Sequence, residues 1–203
     1  MHVDLSFSLI GNKTVAADHG YVLYGALSRL LPEVHRENGI AVHPVRGRQA
    51  GNRQLMLMPW STLTLRVADS QIASLLLLAG KSLRLGDASV RVGVPTVNAL
   101  VPATALRSRL VVIKVANIKP ESVTTEQFAG AIRRQLDELG VSVEAVVTVG
   151  KRRTLRVKQR ELVGYEVILE GLSAEESLSL QEQGLGGKRH MGCGVFVPAG
   201  KEN

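Results

Sequence analysis

The sequence predicts an α+β fold made of two tandem ferredoxin-like (RRM-like) domains, each with the element order β-α-β-β-α-β. Segments that alternate apolar and polar residues, typical of strands, and segments with apolar residues at helical spacing follow one another in that order. The same order begins again after an interruption near the middle of the chain. A length of 203 residues also suits two domains of roughly 100 residues each.

The first domain is predicted over residues 1–94. Alternating apolar residues indicate a strand over 3–10, and Asp18 is expected to N-cap a helix that ends before Pro32. A turn rich in glycine, arginine and asparagine, residues 46–53, separates the next two strands. The remaining predicted elements are strands over 40–45 and 55–67, a helix from Asp69 to Ala79, and strands over 82–85 and 89–94.

The second domain is predicted over residues 108–203, after a linker at 95–107 where the prolines Pro95 and Pro102 interrupt any periodicity. Its predicted elements are a strand over 110–115, a helix capped by Thr124 or Thr125 and ended by Gly140, strands over 141–149 and 163–169, a helix capped by Ser173, and a last strand over 195–197.

Composition limits the classes of function. The net charge is +7 and the pI about 9.9, which favours a polyanionic partner. A single cysteine, Cys193, excludes an intrachain disulfide and a thiolate-rich zinc site, and the sequence has no His-Glu-x-x-His or P-loop motif. No signal peptide and no apolar run of about 18 residues are found. We therefore expect a cytoplasmic protein with no membrane association, no metal and no other cofactor.

A glycine-rich segment, residues 184–194, is the most distinctive motif, with five glycines in eleven residues around three cationic or imidazole side chains. Such a loop could offer bare N–H groups and positive charge to a phosphate backbone, or it could be a tight turn before a terminal strand. The residues that would contact a nucleic acid are Gly184, Gly186, Gly187, Lys188, Arg189, His190, Gly192 and Gly194.

Other cations are candidates for the same role. A basic run over 151–160 carries six cations in ten residues, and it is either an RNA-contacting hairpin or a solvated one. Its cations are Lys151, Arg152, Arg153, Arg156, Lys158 and Arg160, to which we add Arg107 and Arg109.

Histidine supplies the candidate acid/base chemistry. His19 is expected in the first turn of the first helix, Tyr24 further along that helix, and His35 in the loop after it. A histidine base beside a cationic loop suits metal-independent cleavage of a phosphodiester by the neighbouring ribose 2′-hydroxyl, which requires RNA as the substrate.

Two segments resemble the CRISPR-associated endoribonucleases that process precursor crRNA. Residues 179–198, with the tetrapeptide Met191-Gly-Cys-Gly, are similar to the glycine-rich loop of that family, and residues 18–32 are similar to its first helix. The resemblance implies two ferredoxin-like halves and recognition of a hairpin in CRISPR repeat RNA. It also implies cleavage at the base of the hairpin without metal, leaving a 2′,3′-cyclic phosphate, and retention with other subunits of a crRNA effector complex.

The same resemblance implies His35 or His19 as the general base, with Tyr24 orienting or assisting and with Lys188 and Arg189 stabilising charge on the phosphate. In one branch of the family a histidine occupies the helix position where this chain has Tyr24. Two alternatives stay open. One is a non-catalytic subunit that binds the crRNA hairpin, and the other is a ferredoxin-like metabolic enzyme or regulator.

Overall fold

The computed structural model describes residues 1–11, 13–32, 34, 39–116 and 118–200. The chain divides into two compact units, an N-terminal unit, Met1–Ala99, and a C-terminal unit, Leu100–Asn203. Each unit has its own cluster of buried apolar side chains. No helix in the part of the chain that the structure describes is long and apolar enough to cross a membrane.

The N-terminal unit is built on a five-stranded antiparallel sheet in the order β3-β6-β1-β8-β7. Alternate residues of the central strand β1, such as Leu5 and Phe7, are fully buried in the core beside helix α1, while Asp4 and Ser6 lie on the other face. The elements of this sheet and its helices are β1 (His2–Ile10), α1 (Gly20–Leu30), β3 (Ala41–Val42), β6 (Thr62–Ala68), α2 (Ile72–Leu75), β7 (Ser82–Leu85) and β8 (Ala88–Ala99).

A separate three-stranded sheet, here called the small sheet, belongs to the same unit. It consists of β2 (Thr14–Ala16), β5 (Gln54–Met56) and β4 (Arg48–Gln49), in that order. Its strands are short and mostly exposed, and only Val15 and Leu55 contribute buried side chains to the core.

The C-terminal unit has a four-stranded antiparallel sheet in the order β10-β11-β9-β12. Its helices are well capped: Thr124 with Gln127, and Ser173 with Glu176, form reciprocal capping boxes. The elements are β9 (Ala105–Val111), α3 (Thr125–Glu138), β10 (Val146–Val157), β11 (Arg160–Glu170), α4 (Ala174–Gln183) and β12 (Val197–Pro198).

The two main sheets share one topology. The N-terminal sheet has one additional edge strand, β7, which comes directly after the second helix and pairs with β8. Otherwise, the strand after the first helix (β3 or β10) lies at one edge in each sheet, a later strand (β6 or β11) pairs with it and with the first strand of the unit, and a strand after the second helix (β8 or β12) lies on the other side of that first strand. This is the strand order of a ferredoxin-like unit, and it occurs twice.

Several predicted boundaries are wrong. The start of the expected linker is strand, because β8 runs on to Ala99 through Pro95, which pairs with Phe7 of β1. β7 pairs only with Ala88–Arg91 of β8. At Pro95, β8 therefore has a partner strand on one side only, where a residue without a backbone N–H is tolerated. The strand predicted over 110–115 is β9, which begins at Ala105 and ends at Val111. The apolar residues Ile113 and Val115 pack against the core without being part of the strand. The helix expected from Asp69 to Ala79 is a short α2 between two 3₁₀ turns.

Candidate nucleic-acid interface

The glycine loop (184–194) joins α4 to β12 and is tightly packed. Gly186 has a φ of 71° and Gly194 a φ of 65°, both left-handed. A Cβ on Gly186 would lie 2.4 Å from the Val112 carbonyl oxygen, and one on Gly194 would lie 2.0 Å from the Leu185 carbonyl oxygen. Glycine is therefore required at both positions by backbone conformation and by close approach.

Most backbone N–H groups of this loop point into the protein, which corrects the expectation that they are bare. The N–H of Gly186 donates to Gln135 Oε1 at 2.8 Å, and that of Gly187 donates to the Val112 carbonyl at 3.0 Å. The N–H of Gly194 donates to the Leu110 carbonyl at 2.8 Å, which ties the loop to the end of β9. These donors stabilise the loop, so an anion near it would be held by side chains.

The cations of the loop differ in what they contact. Lys188 is exposed and has a left-handed backbone, with a φ of 66°. Arg189 instead folds back, and its guanidinium donates to the Glu182 carbonyl at the C-terminal end of α4. A cation there complements the negative end of the helix dipole. Arg189 is thus part of the packing of the loop, whereas Lys188 is presented to solvent and His190 is partly exposed.

The basic run forms the end of a two-stranded hairpin, here called the basic hairpin (β10 and β11), whose turn contains Lys158 with a φ of 56°. β10 begins at Val146 and contains residues 151–157 of the basic run. The exposed cations of the hairpin are Lys151, Arg152, Arg156, Lys158 and Arg160. The strands pair continuously from Arg152 to Val157, after a register shift between Val149 and Arg152, so this charge is held on a paired scaffold.

Two predicted RNA-contacting arginines meet at a carboxylate that sequence reasoning did not single out. Glu166 on β11 is buried and forms an ion pair with Arg107 on β9, and its Oε2 lies 3.7 Å from Arg153 Nη2 on β10. The signal was an acidic residue inside the mainly apolar stretch 162–169 of β11. Arg107 and Arg153 are therefore organised by Glu166, while Arg109 on the same strand as Arg107 is exposed.

His19 has a structural role in the N-terminal unit. It is the N-cap residue of α1, a position expected for Asp18, and its side chain does not cap the helix. Its Nδ1–H donates to the Ala16 carbonyl at 3.0 Å, and its Nε2 accepts from the Val45 N–H at 2.9 Å. The residue is 5% exposed and links β2, α1 and the segment after β3. Both nitrogens are thus engaged with the backbone, which does not suit a general base.

The other two candidates for catalysis are placed differently. Tyr24 lies on α1, partly buried against the core of the N-terminal unit. It is five residues after His19, so the two are not neighbours on one helix face, where the spacing is three or four. His35 lies outside the residues that the structure describes.

A third histidine belongs to a charged cluster on the main sheet of the N-terminal unit. Arg66 forms a bidentate pair with Asp4, at 2.8 and 2.9 Å, and His43 Nε2 lies 3.3 Å from Asp4 Oδ1. Burial lowers the pKa of His43, against the opposing effect of Asp4. Burial disfavours the charge of Asp4, but the hydrogen bonds and charges of His43 and Arg66 outweigh it and lower the pKa of Asp4.

The fold and the exposed cations define a class of protein: two tandem ferredoxin-like units with a basic hairpin and a glycine loop in the second. The family model described as "Cas6 Crispr" matches residues 3–201, and the chain belongs to this Cas6 family. A protein of Myxococcus xanthus (strain DK1622), described as a CRISPR-associated endonuclease Cas6, is 40% identical over 199 residues, which are 98% of this chain and 82% of that protein.

Solved structures agree on the fold. A Cas6-related protein from Pyrococcus furiosus superposes with a TM-score of 0.64 at 13% identity, with 100% of both chains covered. A Thermus thermophilus Cse3, described as bound to an RNA representing a pre-cleavage complex, has a TM-score of 0.56 at 18% identity, with 97% of this chain and 98% of that chain covered. The predicted tandem ferredoxin-like fold and the predicted family are confirmed.

Proposed function

We propose that this chain is a metal-independent endoribonuclease that cleaves CRISPR repeat RNA at the base of a hairpin to produce mature crRNA. Membership of the Cas6 family and the endonuclease description of its Myxococcus xanthus relative support this function. The observation that carries it is the basic hairpin, whose exposed cations lie along two paired strands and their turn. Such an arrangement of cations suits the phosphates of a folded RNA better than it suits a neutral metabolite.

The reaction begins when a base removes the proton of the 2′-hydroxyl at the scissile nucleotide. The resulting oxygen attacks the adjacent phosphorus, and the bond from phosphorus to the 5′-oxygen breaks. The products are a 2′,3′-cyclic phosphate and a 5′-hydroxyl, with a proton delivered to the leaving oxygen. The phosphorane carries extra negative charge, which nearby cations stabilise. Lys188 is our candidate for the cation that stabilises this negative charge, because it is exposed in the glycine loop, whereas Arg189 donates to the Glu182 carbonyl.

We assign the general base to His35. His19 is the other candidate, but its two backbone hydrogen bonds and its burial support a positioning role at the start of α1. Tyr24 remains our candidate for orienting the substrate. The engagement of His19 also favours the second function, a subunit that binds the crRNA hairpin without cutting it. That function becomes the better description if the protein binds repeat RNA without cutting it.

Cleavage is tested with purified protein, repeat RNA and EDTA, beside a matched RNA with one 2′-deoxy substitution at the scissile nucleotide. We expect the all-ribose RNA to be cut and the deoxy RNA to be bound but intact, since only the first has the attacking hydroxyl. Binding of both RNAs without any cut would replace the endonuclease by the non-catalytic subunit.

The assignment of the base is tested with His35→Ala and His19→Ala. We expect His35→Ala to lower the cleavage rate by about 10² or more at unchanged thermal stability, as is typical for loss of a general base. His19→Ala should lower the melting temperature, because it removes two buried hydrogen bonds. If His35→Ala cuts at the parent rate, our assignment is wrong.

Retention of the product is a further part of the proposal. We expect cleaved RNA that keeps its hairpin to remain with the protein during gel filtration, and to allow assembly with other subunits of a crRNA effector complex. Release of the hairpin product at every turnover would contradict this part alone.

A further inference from the structure

The small sheet carries a concentration of positive charge that the proposed function does not use. Arg46 precedes β4, Arg48 lies on it, Arg53 lies in the turn between β4 and β5, and Lys13 precedes β2. All four residues are exposed. The strands hold them together: β5 pairs with β4 and with β2, and the Leu57 N–H donates to the Lys13 carbonyl at 2.8 Å.

Negative charge is scarce around these cations. Residues 41–68, which include β4 and β5, contain no aspartate or glutamate. The acidic residue closest in sequence to the small sheet is Asp18, two residues after β2. The four cations therefore outnumber the acidic residues in and beside the strands that carry them.

The backbone of the turn adds a second observation. Asn52 and Arg53 are consecutive residues with left-handed backbones, at φ values of 44° and 55°. Asparagine adopts this conformation readily, but for arginine it carries an energetic cost that glycine would avoid. This exposed turn therefore holds a cation in a conformation that glycine would adopt at lower cost.

An exposed aromatic residue is tied to the same region. Trp60, the only tryptophan in the chain, is 54% exposed in the turn from Met58 to Ser61. Ser61 Oγ donates to the Arg46 carbonyl at 2.6 Å and accepts from the Met58 N–H at 2.9 Å. These bonds fix the tryptophan turn against the segment that leads into β4.

We propose that the small sheet and Trp60 form a contact surface for single-stranded RNA, separate from the surface that takes the hairpin. Exposed cations along a short sheet attract phosphates, and an exposed indole stacks on unpaired bases, which a duplex does not offer. This inference rests on the proposed function for one point, that the RNA is the single-stranded part of a transcript whose hairpin binds elsewhere on the chain. A protein partner is less well supported, since a group of cations on strands 48–56, which carry no acidic residue, suits phosphates.

The experiment measures the affinity of the full chain for three probes: a bare repeat hairpin, the same hairpin with a single-stranded flank, and the flank alone as an oligonucleotide. We expect Arg48→Gln with Arg53→Gln to weaken binding of the flanked hairpin and of the flank by about fivefold or more, and to leave the bare hairpin unchanged. The slope of log Kd against log salt should become shallower by about 0.7 for each of the two arginines that binds a phosphate in the parent. Trp60→Ala should weaken the same two probes by about fivefold.

The matched control is Arg84→Gln with Arg91→Gln, which removes the same charge from two exposed positions on β7 and β8. It should bind all probes as the parent does, and melting temperatures should show that both double variants are folded. Equal weakening in the two double variants, equal weakening for the bare hairpin, or unchanged binding by the small-sheet variant would each overturn the inference. Capture of a protein that competes for this surface while all three probes bind as before would also overturn it.

The design separates this inference from the proposed function. If the bare hairpin is neither bound nor cut, the proposed function fails, while the flank alone still reports on the small sheet. If the hairpin is cut normally and the flank binds equally to the parent and the variant, the inference about the small sheet fails and the proposed function stands.

Discussion

At the scale of single residues, Lys188 is not the residue that would be most stable in its backbone conformation. Its left-handed backbone costs a lysine roughly 1 kcal/mol relative to a glycine, and its neighbours Gly186 and Gly187 show that glycine is available to this loop. The Lys188 carbonyl accepts the N–H groups of Met191 and Cys193, so the loop itself imposes this conformation. A costly residue at an exposed apex points to a use for its side chain.

Lys188→Gly is therefore expected to raise the free energy of unfolding by about 1 kcal/mol, because it relieves the left-handed strain. It should also slow cleavage of repeat RNA, because it removes charge beside the phosphate. The measurements are denaturant unfolding and single-turnover cleavage of the same preparations.

The matched control for that prediction is Lys188→Ala, which removes the same charge but keeps a Cβ in the left-handed region. It should slow cleavage as much as the glycine variant does without any gain in stability. A glycine variant that cuts RNA at the parent rate would show that the lysine has no role in the reaction.

At the scale of elements, the glycine loop is a packed piece of the C-terminal unit. Gly186 is held between Gln135 of α3 and the Val112 carbonyl, whereas Gly187 has nothing within 4 Å of the place where a Cβ would lie and has no left-handed φ. Glycine is thus required at position 186 and is not required at position 187.

This contrast predicts that Gly186→Ala lowers the free energy of unfolding by about 2 kcal/mol or more, while Gly187→Ala changes it by less than about 0.5 kcal/mol. The first introduces a clash with a backbone carbonyl in addition to left-handed strain, and the second introduces neither. Denaturant unfolding of both variants measures the difference. Equal stabilities would mean that the loop can shift away from Val112, contrary to its close packing against that carbonyl.

The elements also show what sequence patterns can and cannot predict. Alternation predicted β1 and β7, and the threonine and serine residues before α3 and α4 predicted the caps of these helices, because those signals are local. The limits of β8, β9 and β10 depend on which strands pair, and the extension of β8 through Pro95 follows from its partner β1 and not from its own residues.

The same distinction applies to the candidate site. Exposure of the basic hairpin was predictable from its charge. The hydrogen bond of His19 with the Val45 N–H, and the pairing of Glu166 with Arg107, join residues far apart in sequence. No local pattern could predict them.

At the scale of the whole molecule, stability should depend on pH through the partly buried cluster of Asp4, His43 and Arg66. Burial and the charges of Arg66 and Arg46 lower the pKa of His43 below its ordinary value of 6.5, against the attraction of Asp4. Below about pH 6.5 the unfolded chain therefore binds a proton that the folded chain does not, and acid favours unfolding. Asp4 acts in the same direction at lower pH, since its pKa lies below its ordinary value of 3.8.

The stability that His43 contributes is thus complete above about pH 6.5 and is lost as the pH falls, by up to about 1.4 kcal/mol per pH unit. We expect the free energy of unfolding of the parent to decrease between pH 7.5 and pH 5.5. In His43→Gln, which keeps a polar side chain beside Asp4 but cannot take up a proton, this decrease should be smaller. Denaturant unfolding at a series of pH values measures both slopes. Parallel curves for the two proteins would show that His43 is protonated equally in the folded and unfolded chains, and that burial does not govern its charge.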